Sequence, residues 1–300
     1  MSDAPLSISN EPYMLSPEQI TSFEQQGFLI LRDFLADTSS VQTLRQWTQQ
    51  VHDWPLVKGK WMPYQEKISD GRMVLTRTEN YSPFHPGFNA LFRGDRLMGV
   101  LKQLSGEEMI LFKEKINYKL PKAGGFDAHQ DAPAYTHAGA LKHLTVNIAV
   151  DKATLENGCL EVVPGSHRMN IPVGSDNCIP KDWEDANEWI LVPLKPGDVL
   201  IFGSYLAHRS GPNSSSNPRA AIYATFNAVS DGGDRFAEYY INRRAEWPPM
   251  HEREEGKDYS LGALRYGFGS PMTGATQHSR MQTELFGATV SQAGVSAKIA

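Results

Sequence analysis

The chain has 300 residues, 40% hydrophobic and 21% charged, with a formal net charge of −5. That apolar fraction builds a globular core, and the mild acidity gives no electrostatic pull toward nucleic acid or an anionic membrane. Two cysteines, no apolar run of the roughly 18 residues that cross a bilayer, and a start (MSDAPLSISNEPYML) without signal-peptide features point to a cytoplasmic protein, for which a homodimer is an allowed assembly.

Residues 1–14 are polar and contain proline, and they read as a loose arm. A helix opens at Ser16-Pro17. Ser16 is an N-cap residue, Pro17 suits the first helical position, and Gln19 stands where a capping box needs it. Ile20 and Phe23 give this helix an apolar side, and Gly27 stops it. Phe28, Ile30 and Leu31 follow as a strand. A second helix is predicted over about 39–53, with Val41, Leu44 and Trp47 on one face. The aromatic, basic stretch 55–90 reads as loop with short strand pieces. A further helix over about 90–105 ends at Gly106.

From residue 108 the period falls to two. MILFKEKINYKL and LTVNIAVD alternate as half-buried strands do. GCLEVVPGS, ILVPLKPGDVLIF and RAAIYATFNAV are further strands, separated by Gly, Pro, Asn and Ser turns. Residues 236–255 are expected to be partly helical. After about 270 the composition becomes Gly/Ser/Thr/Gln-rich, as in a poorly packed tail. The pattern describes one domain over 1–300, mainly β with flanking helices. Its strands at 108–230 form a double-stranded β-helix, a cupin-like jelly roll.

The chemistry concentrates at His129-Gln130-Asp131. Residues i and i+2 of a strand share a face, so imidazole and carboxylate can reach one ion. His208 follows the strand DVLIF and supplies a third ligand. Two histidines and a carboxylate with open positions form the facial triad of non-heme iron oxygenases. An H-x-D triplet arises by chance in a chain with nine histidines, so the argument rests on Ser210 and Arg219 as well. Arg219 opens the apolar run AAIYATF and is expected to face inward, where a guanidinium needs a carboxylate. A cosubstrate with one chelating end and one distal carboxylate would satisfy both metal and Arg219, and 2-oxoglutarate is such a molecule. Two other readings use the same residues: a Lewis-acid isomerase or hydrolase, and a non-catalytic ligand-binding barrel. The first has no use for the Arg219 clamp, and the second has none for three intact ligands.

SPEQITSFEQQGFLIL, KINYKLP, HQD, NGCLEVVPGSH, KPGDVLIF and HRSGPNSSSNPR together resemble the phytanoyl-CoA dioxygenase family across about residues 15–227. The resemblance implies an Fe(II)- and 2-oxoglutarate-dependent dioxygenase that uses O2 to oxidise a C–H bond of a small molecule, releasing succinate and CO2. It implies His129, Asp131 and His208 as iron ligands, with no catalytic group beyond the metal centre. It places Ser210 and Arg219 at the distal carboxylate of 2-oxoglutarate and Asn117 among its polar contacts, with Lys113 and Lys115 on the same strand face. Related halogenases carry a small residue at the Asp131 position, so its carboxylate favours hydroxylation, desaturation, cyclisation or dealkylation. The substrate pocket is expected from residues 55–90, 132–142 and 230–250. Arg72 and Arg77 are candidates for holding an anionic group such as a carboxylate or phosphonate, with Trp61, Tyr64 and Tyr135 framing it. No CoA site is visible, which favours a small polar metabolite or natural-product intermediate. His167 reads as a structural hydrogen-bonding residue, and His137 and His143 as residues of the cavity mouth.

Overall fold

The computed structural model describes residues 8–35, 38–68, 70–138 and 143–270. The elements run α1 (Pro17–Gln26), β1 (Phe28–Leu31), α2 (Thr38–His52), β2 (Met62–Lys67), β3 (Met73–Glu79), α3 (Pro86–Arg93), α4 (Asp95–Ser105), β4 (Met109–Lys119) and β5 (Phe126–His129). They continue with β6 (His143–Ala149), β7 (Leu160–Val162), α5 (Lys181–Asp185), β8 (Ile190–Val192), β9 (Val199–Gly203), β10 (His208–Ser210), β11 (Arg219–Ala228), α6 (Phe236–Glu246) and α7 (Ser260–Tyr266). Seven antiparallel strands in the order β1-β9-β6-β11-β4-β3-β2 make a large sheet, and β5-β10-β7-β8 make a small one. This is the jelly roll expected from the alternating half of the chain.

Local signals place the first elements as expected. The Ser16 hydroxyl accepts the Gln19 amide at 3.3 Å, and the Gln19 side chain accepts the Ser16 amide at 2.9 Å, closing the capping box. Gly27 ends α1 at φ 81°, a left-handed conformation that favours a residue without a Cβ.

Two expectations need correction. Residues 55–90 are mostly ordered structure: β2 and β3 form a hairpin whose outer strand is an edge of the large sheet, followed by α3. Alternation is masked there because Arg77 and Glu79 are buried in a charge network with Arg243 in place of apolar residues. The helix expected over 90–105 is two helices. His85 caps α3 by accepting the Phe88 amide, and Gly94 breaks the run with an extended backbone and opens α4. The tail after residue 270, the arm at 1–7 and the cavity-mouth side chain of His137 lie outside the described residues.

The main core lies between the outer face of the large sheet and the helices. Phe88, Phe92, Val100, Leu101, Ile116 and Phe226 are all fully buried in it, each worth roughly 1.5–3 kcal/mol for its burial. Strand β4 shows why this matters for the site. Its even-numbered residues Glu114, Ile116 and Tyr118 are buried, and Glu114 hydrogen-bonds Tyr240 of α6. Lys113, Lys115, Asn117 and Lys119 share the opposite face and project between the sheets. Packing on one face therefore sets what the other face offers to a ligand. Among the described residues, no helix is long and apolar enough to cross a membrane.

Candidate metal centre and two flanking cavities

β5 and β10 pair antiparallel with His208 opposite His129, so the register itself brings the two imidazoles together, with ring centroids 4.2 Å apart. Asp131, two residues past His129, puts Oδ1 4.0 Å from His129 Nε2 and 3.9 Å from His208 Nε2. His129 Nδ1 lies 2.6 Å from the Asp127 carbonyl and His208 Nδ1 lies 3.0 Å from the Leu206 carbonyl. A carbonyl only accepts, so each Nδ1 carries the proton and each Nε2 turns a lone pair toward Asp131. Backbone-held tautomers of this kind mark histidines prepared for a metal. Burial, helped by neighbouring His208, pushes His129 down to about 3, so it is neutral and free to ligate. Burial alone would raise the Asp131 carboxyl, but His208, Lys113 and Lys115 outweigh it and hold the group well below the usual carboxylate range. Thr145 donates to the other Asp131 oxygen at 3.3 Å. The donor set, its protonation and its convergence all fit one divalent ion.

A cleft of about 590 Å³ opens on one side, with His129, His208, Ser210, Arg219, Lys119 and Asn117 in its wall. Arg219 is anchored by donating to the Asn157 carbonyl at 3.2 Å and the Gly158 carbonyl at 3.0 Å. Lys119 donates to Ser210 Oγ at 3.0 Å and to the Gly211 carbonyl at 2.5 Å. Gly158 makes this close approach possible. It sits at φ +72°, and a Cβ there would lie 2.2 Å from the Gly211 oxygen and 2.8 Å from Lys119 Nζ. Burial, then the charge of Arg219, pushes the Lys119 amine down to about 7. Two cations fixed side by side with a hydroxyl suit a carboxylate.

A second cavity of about 430 Å³ lies beyond Asp131, lined by Arg77, Glu79, Lys113, Lys115 and Arg243. Tyr239, Tyr266 and Phe268 give it an aromatic side, and the Phe268 ring meets His129 edge-on at 5.6 Å. Arg243 grips Glu79 with two bonds of 3.0 Å, and Arg77 adds a third at 3.2 Å. Burial works against the Glu79 carboxylate, but Arg243 and Arg77 hold it at about 2. Lys113 is pushed down to about 8 and Lys115 well below its ordinary value, both chiefly by burial.

The expected site residues divide by position. His129, Asp131, His208, Ser210, Arg219, Asn117, Lys115 and Arg77 all face one or both cavities. Arg72 does not: it lies beside the β2–β3 turn, exposed and paired with Asp70. Trp61 also lies elsewhere, tilted against Trp54 and donating to the Pro55 carbonyl in an outer groove. Tyr135 is buried beneath Lys113 against Phe112 and His143, a packing role. Tyr64 donates to the Trp247 carbonyl, and His167 contacts the Glu24 carbonyl. Lys119 escaped the sequence reading although its odd parity on β4 matches Lys113, Lys115 and Asn117. Glu79 and Arg243 carried no local signal, because their pairing joins residues 164 apart.

Residues 23–221 match the model of the family described as phytanoyl-CoA dioxygenase. A methylphosphonate hydroxylase of Gimesia maris is 40% identical over 86% of this chain and 97% of its own length. A 2-aminoethylphosphonate dioxygenase from an uncultured bacterium is 38% identical over 85% of this chain and 97% of its own. In fold, the chain is similar to EctD from S. alaskensis, crystallised with 2-oxoglutarate and 5-hydroxyectoine. The TM-score is 0.64 at 21% identity, over 77% of this chain and 86% of that one.

Proposed function

The chain belongs to the phytanoyl-CoA dioxygenase family, and from that membership we propose that His129, Asp131 and His208 hold its ferrous ion and that Arg219, Lys119 and Ser210 receive the distal carboxylate of 2-oxoglutarate. The protein is a 2-oxoglutarate-dependent non-heme iron dioxygenase acting on a small molecule. Bound iron supplies the dioxygen activation that couples decarboxylation of 2-oxoglutarate to oxidation of a C–H bond. One 2-oxoglutarate, one O2 and one substrate then give succinate, CO2 and hydroxylated substrate.

The observation that carries the residue assignment is the meeting of two geometries in one cleft. His129 and His208, with Asp131 beside them, stand at one end, and two anchored cations stand at the other. A chelating oxoacid spans them, its distal carboxylate meeting the Arg219 donors that the Asn157 and Gly158 carbonyls leave open. Asn117, on the same strand face as Lys119, lines the cleft between these ends. The second cavity, on the far side of Asp131, receives the substrate, with Arg77 toward its anionic part. The two phosphonate-acting relatives make a small phosphonate the substrate class adopted here. Residues 1–300 form one oxygenase domain with an N-terminal arm and a C-terminal tail, cytoplasmic and independent of nucleic acid.

The test is succinate formation by the purified protein supplied with Fe(II), 2-oxoglutarate and oxygen. Wild type should release succinate, and His129→Ala should lose at least about 100-fold of that rate, since even outer partners of metal ligands cost 10–100-fold. Equal rates in the two proteins would remove His129 from the centre.

A further inference from the structure

The substrate cavity is one-sided in charge. Four cationic side chains (Arg77, Lys113, Lys115 and Arg243) face two carboxylates, Glu79 and Asp131. Neither carboxylate is free for a ligand. Glu79 has both oxygens occupied by Arg243, with Arg77 as a further donor to one of them. Asp131 faces the two histidines and Thr145. By contrast, neither Lys113 nor Lys115 has a carboxylate at ion-pairing distance among the described residues.

The two lysines are nevertheless held in place. They sit two residues apart on one face of β4, so their stems leave the strand about 6–7 Å apart. Lys113 Nζ lies 4.7 Å from the Tyr135 ring centre and 5.8 Å from that of Tyr239. Lys115 Nζ lies 5.1 Å from the Tyr223 ring centre. Aromatic faces orient an ammonium without cancelling its charge. Arg77 is fixed by Asn117 and Glu79 through Nε and Nη1, and its Nη2 makes no hydrogen bond to the described residues. Resting on the reading of this cavity as the substrate site, we infer that Lys113, Lys115 and Arg77 form a headgroup site for a doubly charged phosphonate, and that the cavity selects against phosphonates that also carry an ammonium group. An incoming phosphonate favours the charged form of both lysines, and with both protonated the cavity's excess of two positive charges matches a phosphonate dianion. Ferrous iron and 2-oxoglutarate cancel each other and leave that excess unchanged. An ammonium in the same small space would meet like charges and no available carboxylate, a repulsion made stronger by the low dielectric of a buried site.

This distinguishes between the substrates named for the two relatives. The experiment compares ethylphosphonate with 2-aminoethylphosphonate, which match in carbon count and differ in the amine. Succinate and hydroxylated product are measured, and binding is followed by calorimetry without oxygen. The expected kcat/KM is at least about tenfold higher for ethylphosphonate, a difference of 1.4 kcal/mol. Lys113→Met keeps an unbranched apolar stem and removes the ammonium. It should raise KM for ethylphosphonate about tenfold, leave KM for 2-oxoglutarate and the melting temperature near wild type, and narrow the gap between the two substrates. A purely structural lysine would weaken both substrates alike. Equal or better use of 2-aminoethylphosphonate overturns the selection. Succinate release that no phosphonate stimulates, with no phosphonate bound, overturns the headgroup site and leaves the oxygenase assignment intact. Ethylphosphonate bound through Lys113 without any succinate formed would do the reverse.

Discussion

The two cavities share one metal centre and one strand, yet their cations are held in opposite ways. On the side proposed for 2-oxoglutarate, Arg219 and Lys119 are tied to backbone carbonyls of the 157–158 and 211 segments. Fixed donors are the cheapest way to bind a ligand that never changes, because little ordering remains to be done on binding. On the side proposed for substrate, Arg243 and Glu79 lock each other, whereas Lys113 and Lys115 rest on aromatic rings and make no hydrogen bond to the described residues. The difference separates two jobs performed by charge. On this reading, paired charge holds the cavity wall and unpaired charge meets the ligand. Parity on β4 distributes both, since Lys113 and Lys115 line the substrate cavity while Lys115 and Lys119 line the cosubstrate cleft.

That contrast can be broken most severely at Arg243. If its charge is structural, Arg243→Met strands Glu79 in the protein interior with only Arg77, at a cost of about 3–5 kcal/mol. Urea unfolding would measure it. The double change Glu79→Met with Arg243→Met should recover much of the loss, because apolar replacement of a buried pair is often neutral. A double variant no more stable than the single one would show that the pair does more than satisfy itself.

On the cosubstrate side the expected effect falls on binding. Arg219→Ala should weaken 2-oxoglutarate by about 2–3 kcal/mol, roughly 30- to 150-fold in KM, with Fe(II) affinity and folding close to wild type. Titration of iron and of 2-oxoglutarate by their anaerobic absorption would separate the two. An unchanged KM would take Arg219 out of the cleft's function.

The smallest effect expected is a pH dependence. In the empty cleft Lys119 has its amine lowered to about 7, and an incoming carboxylate favours the charged form. Affinity for 2-oxoglutarate is therefore fully present below pH 7 and is lost as pH rises through that value. The loss is at most about tenfold per pH unit, since one unit is 1.36 kcal/mol. Lys119→Met should bind more weakly and with a flat profile between pH 6.5 and 8.5. A sloping profile in that variant would assign the dependence to another group.

Much of this was legible in the amino-acid order. Short-range rules placed α1 through Ser16, Pro17, Gln19 and Gly27, and period-two alternation placed the strands of the jelly roll. His129, Asp131 and His208 stood out because metal chemistry restricts ligand types and a strand puts i and i+2 on one face. Arg219 stood out because a charge opening an apolar strand has to be explained. Arg72 and Arg77 looked equivalent in sequence, both basic residues in one aromatic stretch. Only the antiparallel register of β3 against β4, which sets Arg77 opposite Asn117, sends one into the cavity and leaves the other on a turn with Asp70. The pairing of Glu79 with Arg243 was equally invisible, since it depends on α6 packing over the sheet. The sequence by itself determined the fold class, and it singled out the candidate metal ligands and the cation proposed for a dicarboxylate. The tertiary structure alone decided which cations are neutralised and which remain free, because pairing between side chains distant in sequence depends on register and packing that local patterns do not encode.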